Sequence, residues 1–132
     1  ANRGYIEGKR VVLIDDSIVR GTTSEKIVSM VRATGAKEIH MRISSPPITN
    51  SCYYGIDTPD RNELIAATKT LEETEEYLNA DSLKYIGLEN MMEVFRENKD
   101  KYCKACFDGV YPIKPILRGE DVGQLDLFSD KP

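Results

Sequence analysis

A chain of 132 residues with 40% hydrophobic and 30% charged residues has the make-up of one modest water-soluble domain, burying roughly two-thirds of its unfolded surface. A net charge of −4 with no basic cluster argues against a nucleic-acid partner. No apolar run approaches the roughly 20 residues that cross a bilayer, and the first residues do not make a signal peptide, so neither membrane nor secretion is expected and the cytoplasm is the predicted location.

The first element in chain order is an unbroken β-branched run, Val11 to Ile14, which suits a short strand buried on both faces of a sheet. It ends in Asp15-Asp16 and is followed by Gly21-Thr22-Thr23. Thr22 and Glu25 have capping-box spacing, so a helix is predicted from about Thr23 to Thr34, with Ile27, Val28 and Val31 on one side and Gly35 as its stop. From Lys37 to Ser44 the pattern alternates, Ile39, Met41 and Ile43 opposing His40 and Arg42. That is a strand with one buried face, and strand, helix, strand with short joints predicts a right-handed βαβ unit.

Pro46-Pro47 ends this strand and opens a loop carrying Cys52 and paired tyrosines. Thr58-Pro59 introduces a short helical piece from Glu63 to Ala67. Thr70 and Glu73 form a second capping box, opening an acidic helix to about Asn79 with Leu71 and Leu78 as its predicted core contacts. Leu83 to Ile86 is a third strand. Leu88, Met91, Met92 and Phe95 follow helical spacing, and this Met-rich stripe reads as core. Residues 98 to 104 are a polar approach to Cys103 and Cys106. From Arg118 onward apolar periodicity fades, predicting a flexible tail over 118–132 after a domain over 1–117.

The chemistry concentrates between residues 11 and 25. The carboxyl end of a strand is where open α/β sheets place ligands. Gly21 lets the backbone approach a ligand closely. The free N–H groups of the helix that follows form an anion site suited to a phosphate, to which the Thr22 and Thr23 hydroxyls can add bonds. At the other end, Asp15 or Asp16 can accept bonds from ribose hydroxyls or hold Mg²⁺. Together these describe a ribose 5-phosphate site. Two other readings stand beside it: a purely structural strand end, turn and cap, and a receiver domain, whose first strand also ends in acids. A receiver starts its helix at once and needs a later acceptor; Asp57 here follows a poor strand, Tyr54-Gly55-Ile56. A Walker A loop fails, because no lysine follows Gly21.

Three cysteines is an odd number, which argues against a closed disulfide framework. Cys103 and Cys106 form a C-x-x-C pair, with Cys52 about fifty positions upstream. That spacing leaves open both a metal site and three ordinary thiols. His40 reads as a strand residue on a polar face.

The segment Ile14-Asp15-Asp16-Ser17-Ile18-Val19-Arg20-Gly21-Thr22-Thr23 resembles the phosphoribosyl pyrophosphate (PRPP) motif of the phosphoribosyltransferases. The wording through Ser44-Ser45-Pro46-Pro47-Ile48, Cys52-Tyr53-Tyr54-Gly55-Ile56-Asp57, Cys103-Lys104-Ala105-Cys106-Phe107 and Tyr111-Pro112 is similar to one of their families, the glutamine PRPP amidotransferases. The resemblance covers about the first 113 residues. It implies an α/β fold: part of a type I phosphoribosyltransferase (Rossmann-like) parallel sheet with flanking helices, plus a helical C-terminal region.

For function, the resemblance implies the PRPP-binding part of a pentosyltransferase. That enzyme uses ammonia released by a glutaminase domain, which this chain lacks, to make 5-phosphoribosylamine for purine synthesis. The chain reads as a C-terminal piece, inactive alone. Asp15, Asp16, Ser17, Arg20, Gly21, Thr22 and Thr23 then stand where PRPP binds, with Asp15 and Asp16 also at Mg²⁺. Cys52, Cys103 and Cys106 stand where three ligands of a [4Fe–4S] cluster occur in some members, the fourth lying upstream. No catalytic nucleophile or base is implied, while purine nucleotide inhibitors and a homo-oligomer are. A phosphoribosyl- or nucleotide-binding regulatory module without turnover is the alternative.

Overall fold

The computed structural model describes residues 2 to 115, so the predicted tail over 118–132 lies outside the described residues. A one-turn helix α1 (Arg3–Ile6) leads into strand β1 (Arg10–Asp15), helix α2 (Thr22–Ala33) and strand β2 (Glu38–Ile43). A long loop and a 3-10 turn (Arg61–Glu63) precede α3 (Ile65–Thr68), α4 (Leu71–Leu78) and strand β3 (Ser82–Tyr85). Helix α5 (Leu88–Glu93), a second 3-10 segment (Arg96–Lys101) and α6 (Ala105–Asp108) form the helical end.

The three strands are parallel in the order β1-β2-β3. Val11 is opposite Ile39 and Leu13 opposite Met41, and Met41 is in turn opposite Leu83. Ile39, Met41, Ile43 and Leu83 therefore share one sheet face, and with Val28 and Val31 of α2 and Leu78 of α4 they make the core. The βαβ unit and its alternating second strand are as the sequence pattern predicts.

Strand β1 is not buried on both faces. Val12 and Ile14 are 57% and 79% exposed, because the core helices pack on the opposite face, which carries Val11 and Leu13. Two-sided burial needs a layer on each face, and among the described residues only one face has it. Beside Val12 and Ile14, the open face carries a polar network. Arg10 Nε donates to Glu38 Oε2 at 2.6 Å, the His40 ring lies 3.1 Å from the same oxygen, and its other nitrogen is 2.8 Å from Ser82 Oγ. His40 thus belongs to a polar strand face, as its place in the alternation predicts.

The second capping box forms as predicted: Thr70 Oγ1 accepts from the Glu73 amide at 3.1 Å, and Glu73 Oε2 accepts from the Thr70 amide at 2.8 Å. Leu78 is fully buried, but Leu71 is 44% exposed, and Thr74 takes the core position instead. Leu71 is the first residue of its helix and projects over the preceding turn, where the sheet does not reach. Thr74 tolerates burial because its hydroxyl donates to the Thr70 carbonyl at 2.8 Å. In α5 only Met92 is fully buried, while Leu88, Met91 and Phe95 are half-buried, since the helix gives way to the 3-10 segment after Glu93.

Asp81 joins the start of β2 to the start of β3. Its Oδ2 accepts from the Ile39 amide at 2.7 Å and from Arg32 Nη2 at 2.9 Å. The Ile39 amide first, and the Arg32 guanidinium with it, hold the Asp81 carboxyl below the usual range. A depressed carboxyl contributes stability above its unfolded value, lost as pH falls below about 4. Asp81→Ala should cost about 1–2 kcal/mol at neutral pH and flatten the acid limb of the stability curve, as measured by urea titration.

Tyr85 sits at the end of β3 with its hydroxyl buried and without a hydrogen-bond partner. Burial pushes its pKa up to about 12 from 10.0. Between those two values the unfolded chain loses the proton first, so stability falls as pH rises. Tyr85→Phe should leave stability at neutral pH unchanged or slightly higher and remove part of the alkaline fall, read by denaturation across that window.

Candidate functional site

Where β1 ends, the chain folds into a loop fixed at three points. The Ser44 amide and hydroxyl donate to the Asp15 carbonyl at 3.0 and 3.1 Å, which extends the β1–β2 pairing to its last residue. Ile18 is 1% exposed and anchors the loop in the core. The Ile65 amide donates to the Val19 carbonyl at 2.9 Å, which fastens the loop to α3. The result is a cavity of about 300 Å³ lined by residues 15 to 24. All seven residues predicted for the PRPP site line it.

The start of α2 differs from the expected capping box. Gly21 is the N-cap, in the left-handed region at φ 81°, and no side chain caps the helix. Glu25 instead accepts from the Ser29 hydroxyl at 3.1 Å. The first intrahelical bond runs from the Glu25 amide to the Gly21 carbonyl at 2.9 Å, so the amides of Thr22, Thr23 and Ser24 stay free to meet a ligand. An absent side-chain cap is what an anion site at a helix start requires, because a capping oxygen would occupy the same donors. A Cβ on Gly21 would lie 2.7 Å from Ile65 Cδ1 and 3.1 Å from the Tyr77 ring. Glycine is thus needed twice, for its φ and for the approach of α3 and α4.

At the acidic end, Asp15 Oδ1 accepts from the Asp16 amide at 3.0 Å and Asp16 Oδ1 from the Ser17 amide at 2.8 Å. These short bonds fix both carboxylates while leaving lone pairs for hydroxyls or a cation. Two carboxylates beside a cavity are the hard oxygen donors that Mg²⁺ prefers. Arg20 Nε pairs with Glu63 Oε2 at 3.0 Å, which draws the guanidinium toward the 3-10 turn. The cavity therefore has a carboxylate end and an amide end.

The cysteines come together. Cys52, Cys103 and Cys106 line one largely apolar cavity of about 210 Å³ with Tyr54, Ile56, Ala105 and Tyr111. Burial pushes the Cys106 thiol up, and the neighbouring sulfurs of Cys52 and Cys103 add to the shift. Burial likewise raises the Tyr111 phenol. Among the described residues no three His, Cys, Asp or Glu side chains are drawn together tightly enough to share one metal ion. A cubane cluster places its irons at separate corners, so its sulfurs stand further apart than those around one ion. Three thiols about one apolar cavity fit that donor set.

Sequence reasoning did not single out Tyr54 and Tyr111 as walls of the cysteine cavity, nor Ser44, Ile65 and Tyr77 as the frame of the phosphate loop. An apolar Ile18-Val19 pair inside a polar loop was the available signal for that frame.

A three-stranded parallel sheet with a ligand cavity at the carboxyl end of its first strand, opening onto a bare helix start, defines a phosphoribosyltransferase-type α/β segment. No family model matches the chain. It is 53% identical over 123 residues to amidophosphoribosyltransferase 2, chloroplastic, of Arabidopsis thaliana, covering 90% of this chain and 22% of that protein. It is 54% identical over 111 residues to the amidophosphoribosyltransferase of Synechococcus elongatus, covering 84% and 22%. Among solved structures it matches the PRPP amidotransferase from B. subtilis complexed with ADP and GMP, with a TM-score of 0.79 at 47% identity over 86% of this chain and 26% of that one. The chain is thus homologous to one segment of the amidophosphoribosyltransferases and has the corresponding part of the type I phosphoribosyltransferase fold. It spans about a quarter of the length of those relatives.

Gly21→Ala should destabilise the chain by about 1–3 kcal/mol, since alanine must adopt a positive φ and displace Ile65. It should also weaken inorganic phosphate binding, read as loss of the amide chemical-shift changes of Thr22 to Ser24 on titration.

Proposed function

We propose that this chain is the PRPP-binding portion of an amidophosphoribosyltransferase. The observation that carries the proposal is the two-ended cavity of residues 15 to 24. The free amides of Thr22 and Thr23, with Ser17, Arg20 and Gly21, would hold the 5′-phosphate. Asp15 and Asp16 would hold the ribose hydroxyls and Mg²⁺, which supplies charge neutralisation for the pyrophosphate when bound. In the whole enzyme, glutamine would be hydrolysed elsewhere, ammonia would attack C1 of PRPP, and pyrophosphate would leave to give 5-phosphoribosylamine. This chain's share of that reaction is to fix the ribose. The leaving step develops positive charge on the sugar, so positioning and electrostatics dominate.

The cysteines support a structural [4Fe–4S] cluster on Cys52, Cys103 and Cys106, with a fourth ligand from outside this segment. When bound it would cross-link the two loops. The exposed Val12 and Ile14 on an edge strand support self-association. Purine nucleotide inhibition is supported by the ADP and GMP in the B. subtilis complex. The cytoplasm is the proposed location.

In the full-length enzyme, Asp15→Asn with Asp16→Asn should lower kcat/KM for PRPP by about 10–100-fold, the loss of one or two charge-assisted bonds. Glutamine hydrolysis measured without PRPP should stay near wild type. Unchanged PRPP kinetics would refute the assignment.

A further inference from the structure

Cys52 and the C-x-x-C pair lie about fifty positions apart, yet they line one cavity. Part of the join is backbone. The Thr49 and Asn50 amides donate to the Cys106 carbonyl at 3.1 and 3.0 Å, and the Thr49 hydroxyl donates to the Phe107 carbonyl at 3.2 Å. These bonds fix Cys106 against the residues before Cys52, and the Cys52 tip is braced within its own loop, where the Cys52 amide donates to Thr58 Oγ1 at 2.6 Å and the Ser51 hydroxyl to the Pro59 carbonyl at 2.8 Å.

Two tyrosine hydroxyls tie that tip to the segment after Cys106. The Tyr111 hydroxyl donates to the Ser51 carbonyl at 2.6 Å, immediately before Cys52. The Tyr54 hydroxyl, just after Cys52, donates to the Ile113 carbonyl and accepts from the Ile113 amide at 3.0 Å. Cys52 is thus bracketed on both sides by bonds to the segment that follows Cys106. The Tyr54 and Tyr111 rings meet edge to face, their centroids 6.1 Å apart, and both wall the cavity that holds the sulfurs. The Tyr54 backbone amide also donates to Cys52 Sγ at 3.4 Å. A bond of that kind stabilises a thiolate and tunes a cluster.

We propose that Tyr54 and Tyr111 are positioning residues, a paired hydroxyl latch that closes the segment after Cys106 over the Cys52 loop and so governs how firmly these cysteines retain an iron–sulfur cluster. The proposal rests on the cluster reading given above. The latch works without ligating metal. It sets the separation of Cys52 from the pair and lays two aromatic rings along one side of the cavity that the sulfurs line. Tyr53 provides a contrast: its ring meets Tyr111 at 5.2 Å, but its hydroxyl makes no bond to the segment 111–113.

The test uses the full-length enzyme purified without oxygen. Iron and acid-labile sulfide are assayed, iron release to a chelator is timed, and Cys52 alkylation is followed by mass spectrometry. Tyr54→Phe with Tyr111→Phe should release iron and expose Cys52 to alkylation about fivefold faster or more, from the loss of two to three hydrogen bonds. Tyr53→Phe should match wild type on both readouts. A double variant that keeps iron and shields Cys52 as wild type does would overturn the latch while leaving the cluster reading intact. Equal loosening by Tyr53→Phe would overturn it too, showing ring packing instead of hydroxyl bonding. Wild-type enzyme without iron and sulfide would overturn the cluster reading and, with it, this proposal.

Discussion

Gly21 has a positive φ and no room for a Cβ, since Ile65 and Tyr77 already occupy that space. The rest of the loop is arranged around this position. Because α3 and α4 press against the bare backbone, the loop can descend close to the core. There Ile18 is buried and Val19 accepts from the Ile65 amide. Because the cap is a glycine without a side-chain acceptor, α2 begins with unclaimed donors facing the cavity. A larger residue would oppose both effects together, by pushing the helices outward and by straining the turn that aims the amides.

The two candidate sites grow from one end of the sheet, and the 3-10 turn at Arg61–Glu63 touches both. Parallel strands deliver their connecting loops to a shared carboxyl edge. The loop after β1 forms the phosphate cavity, and the loop after β2 runs on to Cys52. Glu63 pairs with Arg20 of the first loop, while Arg61 Nε donates to the Thr49 carbonyl of the second at 3.1 Å. These contacts are exposed and individually weak. Their value is geometric, since one turn reaches both loops. The latch around Cys52 then extends the same frame to the segment 111–113.

The sequence carried most of this architecture because the decisive signals were local. The alternation of Ile39, Met41 and Ile43 and the Thr70–Glu73 box each depend on neighbours a few residues away, and each appears as read. What the sequence did not reveal depended on packing from afar. Val11 to Ile14 is apolar at every position, so its pattern could not tell which face a layer would cover. Thr22 and Glu25 had the spacing of a cap, yet Gly21 takes the cap position, where distant Ile65 and Tyr77 leave no room for a side chain. Leu71 looked like core by spacing but falls at a helix start, beyond the reach of the sheet. The seven residues expected at the PRPP site fall within nine consecutive positions, so one loop brings them to one cavity. The convergence of cysteines fifty positions apart was legible only through resemblance, and Tyr54 and Tyr111 stood in that resemblance with nothing to show that their hydroxyls bond across the two segments.

On the proposed reading, the distribution of charge along the cavity of residues 15 to 24 would suit a sugar phosphate better than a simple anion or a simple cation. A free phosphate near Asp15 and Asp16 meets two carboxylates and is repelled there. At the amide end it meets partial positive charge from backbone N–H groups and the helix dipole, and the Arg20 guanidinium of the same lining is paired with Glu63. A lone divalent cation finds the opposite imbalance. A ligand with a phosphate at one end and hydroxyls or a metal-bound pyrophosphate at the other would satisfy both ends at once. In the proposed function this loop would hold the ribose in register against an incoming nucleophile, a task that suits rigid backbone donors because they need no reorganisation as charge develops on the sugar.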